Sequence, residues 1–99
     1  MEAKELKSAI ENALDQVERY SVNSNYQVAV YSDGTTSGLL ERNTWEGDLA
    51  SGVFEVCRVQ AWFDKSQSDN KNKIARREEK KFAFESGLSR LNEMSDVVN

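Results

Sequence analysis

Leu6, Ile10, Ala13, Leu14 and Val17 recur at spacings of three and four with polar residues between them, which predicts one amphipathic helix over residues 3 to 20. The small polar run from Ser21 to Asn25 competes for backbone hydrogen bonds and ends that helix. Residues 26 to 31, Tyr-Gln-Val-Ala-Val-Tyr, have the β-branched and aromatic content of a strand. Asp33-Gly34 tolerates positive φ and predicts a tight reversal into a second, shorter strand that begins at Gly38-Leu39-Leu40. Residues 43 to 51, with Glu46-Gly47-Asp48, read as a loop before the longest strand, residues 52 to 63. That strand carries Val53, Cys57, Val59, Ala61 and Phe63 on one face and Phe54, Val56 and Trp62 on the other, which implies a central position or a bulge. Ser66 to Asn70 ends in good N-cap residues, and a second helix follows to about Met94. The expected architecture is a single α+β domain over residues 1 to 99: a helix, a three-stranded antiparallel meander and a helix, with both helices on one face of the sheet.

Composition narrows the chemistry. Of 99 residues, 38% are apolar and 30% charged, and the mean hydropathy of −0.70 fits one folded domain with a modest core. No apolar run approaches a membrane span and the first residues are charged, so a cytoplasmic location is expected. The chain has no histidine and one cysteine, which excludes Ser-His and Cys-His nucleophiles, histidine metal sites and a thiolate zinc site. A non-enzymatic protein without metal or cofactor is expected. Cys57 lies in an apolar run and reads as a buried small hydrophobe, with a reactive thiol as the alternative. Gly87 lies near the apolar stripe of the second helix, where close packing accounts for it.

Charge divides unevenly. Residues 1 to 57 hold ten acids and four bases, and residues 58 to 99 hold seven acids and nine bases, so the halves carry −6 and +2 of the total −4. Glu11, Asp15 and Glu18 fall at i, i+4 and i+7 along one edge of the first helix, a spacing at which like charges repel. Asp33, Glu41, Glu46 and Asp48 extend this negative field if the loops fold toward that helix. Such a face either keeps the protein soluble or meets a basic groove on a partner, with Trp45 or Phe82 as an apolar anchor. The opposite sign collects at residues 71 to 81, where Lys71, Lys73, Arg76, Arg77 and Lys80 read as internal charge balance against the first helix, as phosphate contacts or as a subunit contact. Phe82 points nearly opposite Phe84 and falls off the apolar stripe, as an exposed anchor or as packing under a loop or against a second copy in a homodimer.

Two resemblances follow from these residues. The element order, together with Lys73-Ile74-Ala75-Arg76 at the start of the last helix, resembles a double-stranded-RNA-binding domain and implies direct nucleic-acid binding through the basic segment. The chain departs from that pattern in having no proline or histidine for its loop, and in Arg77 to Lys81 where small residues would stand. The size and the carboxylates Glu11, Asp15, Glu18, Asp33, Glu41, Glu46 and Asp48 resemble the small acidic phage proteins that mimic DNA, including anti-CRISPR inhibitors. That resemblance implies a stoichiometric inhibitor in the host cytoplasm, which occupies the nucleic-acid groove of a CRISPR complex and blocks target DNA binding. A small assembly protein acting through a homo-oligomer contact is the third reading.

Overall fold

The computed structural model describes residues 1–20, 26–41, 52–60 and 69–98. Helix α1 spans Ala3–Tyr20, strand β1 Tyr26–Tyr31, β2 Leu40–Glu41, β3 Glu55–Val59, and helix α2 Asp69–Val98. The α+β architecture expected from the periodicity is observed. Of the longest predicted strand, residues 61 to 63 lie outside the described residues, as do the loop 43–51 and most of the loop before α2. The second helix runs four residues past Met94, where neither proline nor glycine stops it.

The sheet is antiparallel in the order β2-β1-β3. A meander would put its second strand in the middle, whereas here β1 is central. The reason lies in the side chains: Val28, Ala29, Val30 and Tyr31 are buried on both faces of β1, while β2 is two residues of which Glu41 is exposed. The hairpin turns at Asp33-Gly34, where Gly34 has φ +88° and its N–H donates to the Tyr31 carbonyl at 2.9 Å. The Asp33 carboxylate accepts from the Thr35 amide at 3.0 Å and its hydroxyl at 2.6 Å, which fixes the turn.

Register along β1 and β3 pairs Val28 with Val59 and Val30 with Cys57, then slips so that Tyr31 meets Glu55. Val56 is therefore the extra residue of a bulge. Neighbours on a regular strand point to opposite faces, yet Val56 and Cys57 both join the core. Of the two explanations for apolar residues on both faces of this strand, the bulge is the observed one.

One cluster of buried side chains holds the layers together. Leu6, Ala9, Ile10, Ala13, Leu14 and Val17 of α1 meet Val28 and Val30, Val56, Cys57 and Val59, and Ala83 of α2. A fully buried Leu, Ile or Val contributes roughly 1.5–3 kcal/mol by leaving water, so the α1 stripe dominates the core. α1 packs over β1 and α2 over β3, and the two helices touch. Phe84, Leu88 and Leu91 pack half-buried against the cluster. Thirty residues make α2 about 45 Å long, close to the 49 Å length of the molecule, so its flanks and outer face form much of the surface.

Candidate functional site

The acidic ladder and the basic segment meet. The α2 stripe that buries Ala83 continues back through Lys80 and Arg76, and these two long side chains reach across to α1. The Arg76 guanidinium donates to Asp15 at 2.7 Å and to Glu18 at 2.6 Å, and the Lys80 ammonium donates to Glu11. The Lys80 hydrogen bond and charge hold the Glu11 carboxyl below its ordinary value. Three carboxylates whose spacing costs helix stability thus gain it back as counterions of α2, the internal balance that was one of the three readings of the basic segment.

The remaining predicted site residues scatter. Asp33 sits in the hairpin turn, with its carboxyl lowered by the hydrogen bonds from the Thr35 hydroxyl and amide. Glu41 pairs with Tyr26 at the far end of β1, a five-residue step that puts it about 17 Å from the turn. The hairpin acids therefore do not converge on one point. Trp45, Glu46 and Asp48 lie outside the described residues. Lys71 and Lys73 are exposed on the first two turns of α2, and Arg77 is exposed one residue beyond Arg76.

Among the described residues, a groove lies on each flank of α2. The larger, about 850 Å³, runs between α2 and β3 and is lined by Ala75, Glu78, Glu79, Phe82 and Ser86 on one side and Gln27, Cys57, Arg58 and Gln60 on the other. Its sheet wall is cross-braced: Gln27 donates to Gln60 at 2.8 Å, and Arg58 donates to both Glu55 oxygens at 2.7 and 3.2 Å. The Gln60 amide donates to Glu79 Oε1 at 3.0 Å, tying strand to helix. Burial pushes the Cys57 thiol up to about 12, so at neutral pH it is an uncharged hydrophobe and no nucleophile. On the rim Phe82 is 66% exposed, and Ile74, two turns earlier on α2, is 53% exposed. The smaller groove, about 280 Å³, lies on the α1 side and is lined by Lys7, Ile10, Arg77, Lys80, Lys81 and Phe84.

Glu79 has its carboxyl raised by burial, only partly offset by the hydrogen bond from the Gln60 amide. Between its ordinary 4.5 and the raised value the folded state binds the extra proton, so stability falls as pH rises through that window. Glu79→Gln keeps an acceptor for the Gln60 amide and removes the charge. Urea unfolding at several pH values should show this variant at least as stable as the parent at pH 7, with the downward slope above pH 4.5 flattened. Lower stability at neutral pH would contradict the burial effect.

Phe82 was legible from its place off the apolar stripe. Ile74, Glu79 and Lys7 were not, because each acquires its surroundings only when α2 docks. Among the described residues no group of three or more His, Cys, Asp or Glu side chains could hold a metal ion, and no helix is long and apolar enough to cross a membrane. No protein family, curated protein or solved structure matches the chain. What fold and surface define is a small α+β protein with a salt-bridged helix pair and an exposed aromatic beside a strand-helix groove.

Proposed function

We propose that this protein is a non-enzymatic binding module that docks on a partner protein through the outer face of α2, with Phe82 as its anchor. The observation that carries the reading is Phe82, 66% exposed on the rim of the α2–β3 groove. Ile74 and Phe82 are eight residues apart, about 12 Å along the helix and some 80° apart around it. Exposed Glu78 lies between them and exposed Glu85 one turn beyond. The complementary surface is an apolar pocket rimmed by Lys and Arg, to which a chain of net charge −4 is drawn over distance.

This keeps the acidic inhibitor in view and moves its contact face. An anti-CRISPR-type competitor for a basic groove would act with Glu78, Glu85 and Phe82, because Glu11, Asp15 and Glu18 already have cations beside them. An exposed aromatic anchor of this kind contributes about 2 kcal/mol or more when buried in a partner, about 30-fold in affinity. Affinity capture from lysates of its native host, compared across variants, tests the reading. Phe82→Asp should lose the proteins held by the parent, while the ladder-neutral Glu11→Gln, Asp15→Asn, Glu18→Gln variant, checked for folding by circular dichroism, should retain them. Retention by Phe82→Asp together with loss by the ladder variant would move the interface to α1.

A further inference from the structure

We infer that the smaller groove, on the opposite flank of α2 from Phe82, is a binding site for a small organic phosphate. Its walls bring together Lys7 from α1 and Arg77, Lys80 and Lys81 from α2. Glu11 occupies the Lys80 ammonium, and Asp15 and Glu18 occupy neighbouring Arg76. Lys7, Arg77 and Lys81 have no ion-pair partner among the described residues. Three cations without an ion-pair partner among the described residues thus converge from two helices on one cleft; Glu11, one turn from Lys7, offsets part of their mutual repulsion, and a phosphate relieves the rest.

Chemistry and shape then select the ligand. Arg77, Lys81 and Phe84 fall at i, i+4 and i+7, so the two cations share one face of α2 with the half-buried ring, and all three line the groove. A phosphate takes the cationic mouth, and a flat organic body rests on the half-buried Phe84 ring. The volume, about 280 Å³, suits a mononucleotide-sized molecule. A nucleic-acid strand fits poorly, because its next phosphates would run along α1 toward Glu11, Asp15 and Glu18, whose ion pairs already engage the neighbouring cations Lys80 and Arg76.

Nuclear magnetic resonance titration of the whole chain with adenosine monophosphate, inorganic phosphate and a short DNA duplex at low salt tests the site. Adenosine monophosphate should shift the amides of Lys7, Arg77, Lys81 and Phe84 saturably with millimolar affinity. Inorganic phosphate should shift the same amides more weakly, and the Arg77→Gln, Lys81→Gln variant should weaken both at least about tenfold with its circular dichroism unchanged. Lys73→Gln, outside the groove, should change neither. No saturable shift by about 10 mM, or equal affinity in parent and double variant, overturns the site. Equal affinity for inorganic phosphate overturns the role of Phe84, and tighter binding of the duplex through the same amides overturns the small ligand in favour of nucleic acid.

Discussion

Truncating Leu6 to alanine is expected to cost the fold about 2–5 kcal/mol, the largest effect of any single truncation toward α2. Leu6 is fully buried in the cluster that joins α1, the sheet and α2. It is also the side chain against which α2 closes. A Cβ built on Gly87 would stand 3.0 Å from Leu6 Cδ2 and 3.1 Å from Cδ1, so the absence of a side chain at Gly87 is what admits Leu6. Two consequences follow for Gly87→Ala. In the parent, the gain of about 1 kcal/mol in helix propensity is opposed by methyl groups with nowhere to retreat, so the substitution is neutral or destabilising. In the Leu6→Ala background those methyls are gone, and the same substitution should stabilise by about 1 kcal/mol. Urea denaturation of the four proteins reads the coupling. Energies that add within about 0.5 kcal/mol would mean that Leu6 and Gly87 do not share the contact.

Charge reversal at Arg76 is the second large expectation. Arg76→Glu removes hydrogen bonds of 2.7 and 2.6 Å to Asp15 and Glu18 and puts a third carboxylate between them. Each pair is exposed enough that its own contribution is only about 0.5 kcal/mol. The repulsion that replaces two attractions, and the loss of the packed Arg76 stem, bring the total to about 1–2 kcal/mol. Added salt should shrink the difference by screening, which thermal unfolding at low and high ionic strength measures.

The chain declares its local structure more openly than its pairings. The α1 stripe is legible because Leu6, Ile10, Ala13, Leu14 and Val17, all buried, repeat at helical spacing, and the hairpin because Asp33-Gly34 supplies both the positive φ and the carboxylate that closes the turn. Strand order is not, since whether β1 or β2 is central depends on which strand β3 finds, and among the described residues β1 offers β3 six positions against two in β2. Apolar residues on both faces of the third strand pointed to two explanations, which the register slip opposite Val56 separates. The ladder taught the same lesson in charge. Glu11, Asp15 and Glu18 were visible as a row, and Arg76 and Lys80 as a cluster, but the row and the cluster are 58 to 69 residues apart and only the docking of α2 on α1 joins them. Before that contact is known, a row of acids reads as a face for a partner. After it, the cations beside the ladder that have no ion-pair partner among the described residues are Lys7, Arg77 and Lys81 in their cleft, and the exposed large apolar side chains among those residues are Phe82 and Ile74.

The central claim, that the α1 carboxylates serve the fold as counterions of α2, is tested most directly by exchanging the signs. Arg76→Glu alone, the pair Asp15→Arg with Glu18→Arg, and the three changes together form one cycle, read as unfolding free energies in urea at low salt. The account predicts that each half destabilises and that the combined variant recovers to within about 0.5 kcal/mol of the parent, with Phe82-dependent capture of partner proteins intact. Losses that simply add, or a recovered fold that no longer captures its partner, would contradict it and return the acidic ladder to the role of a binding face.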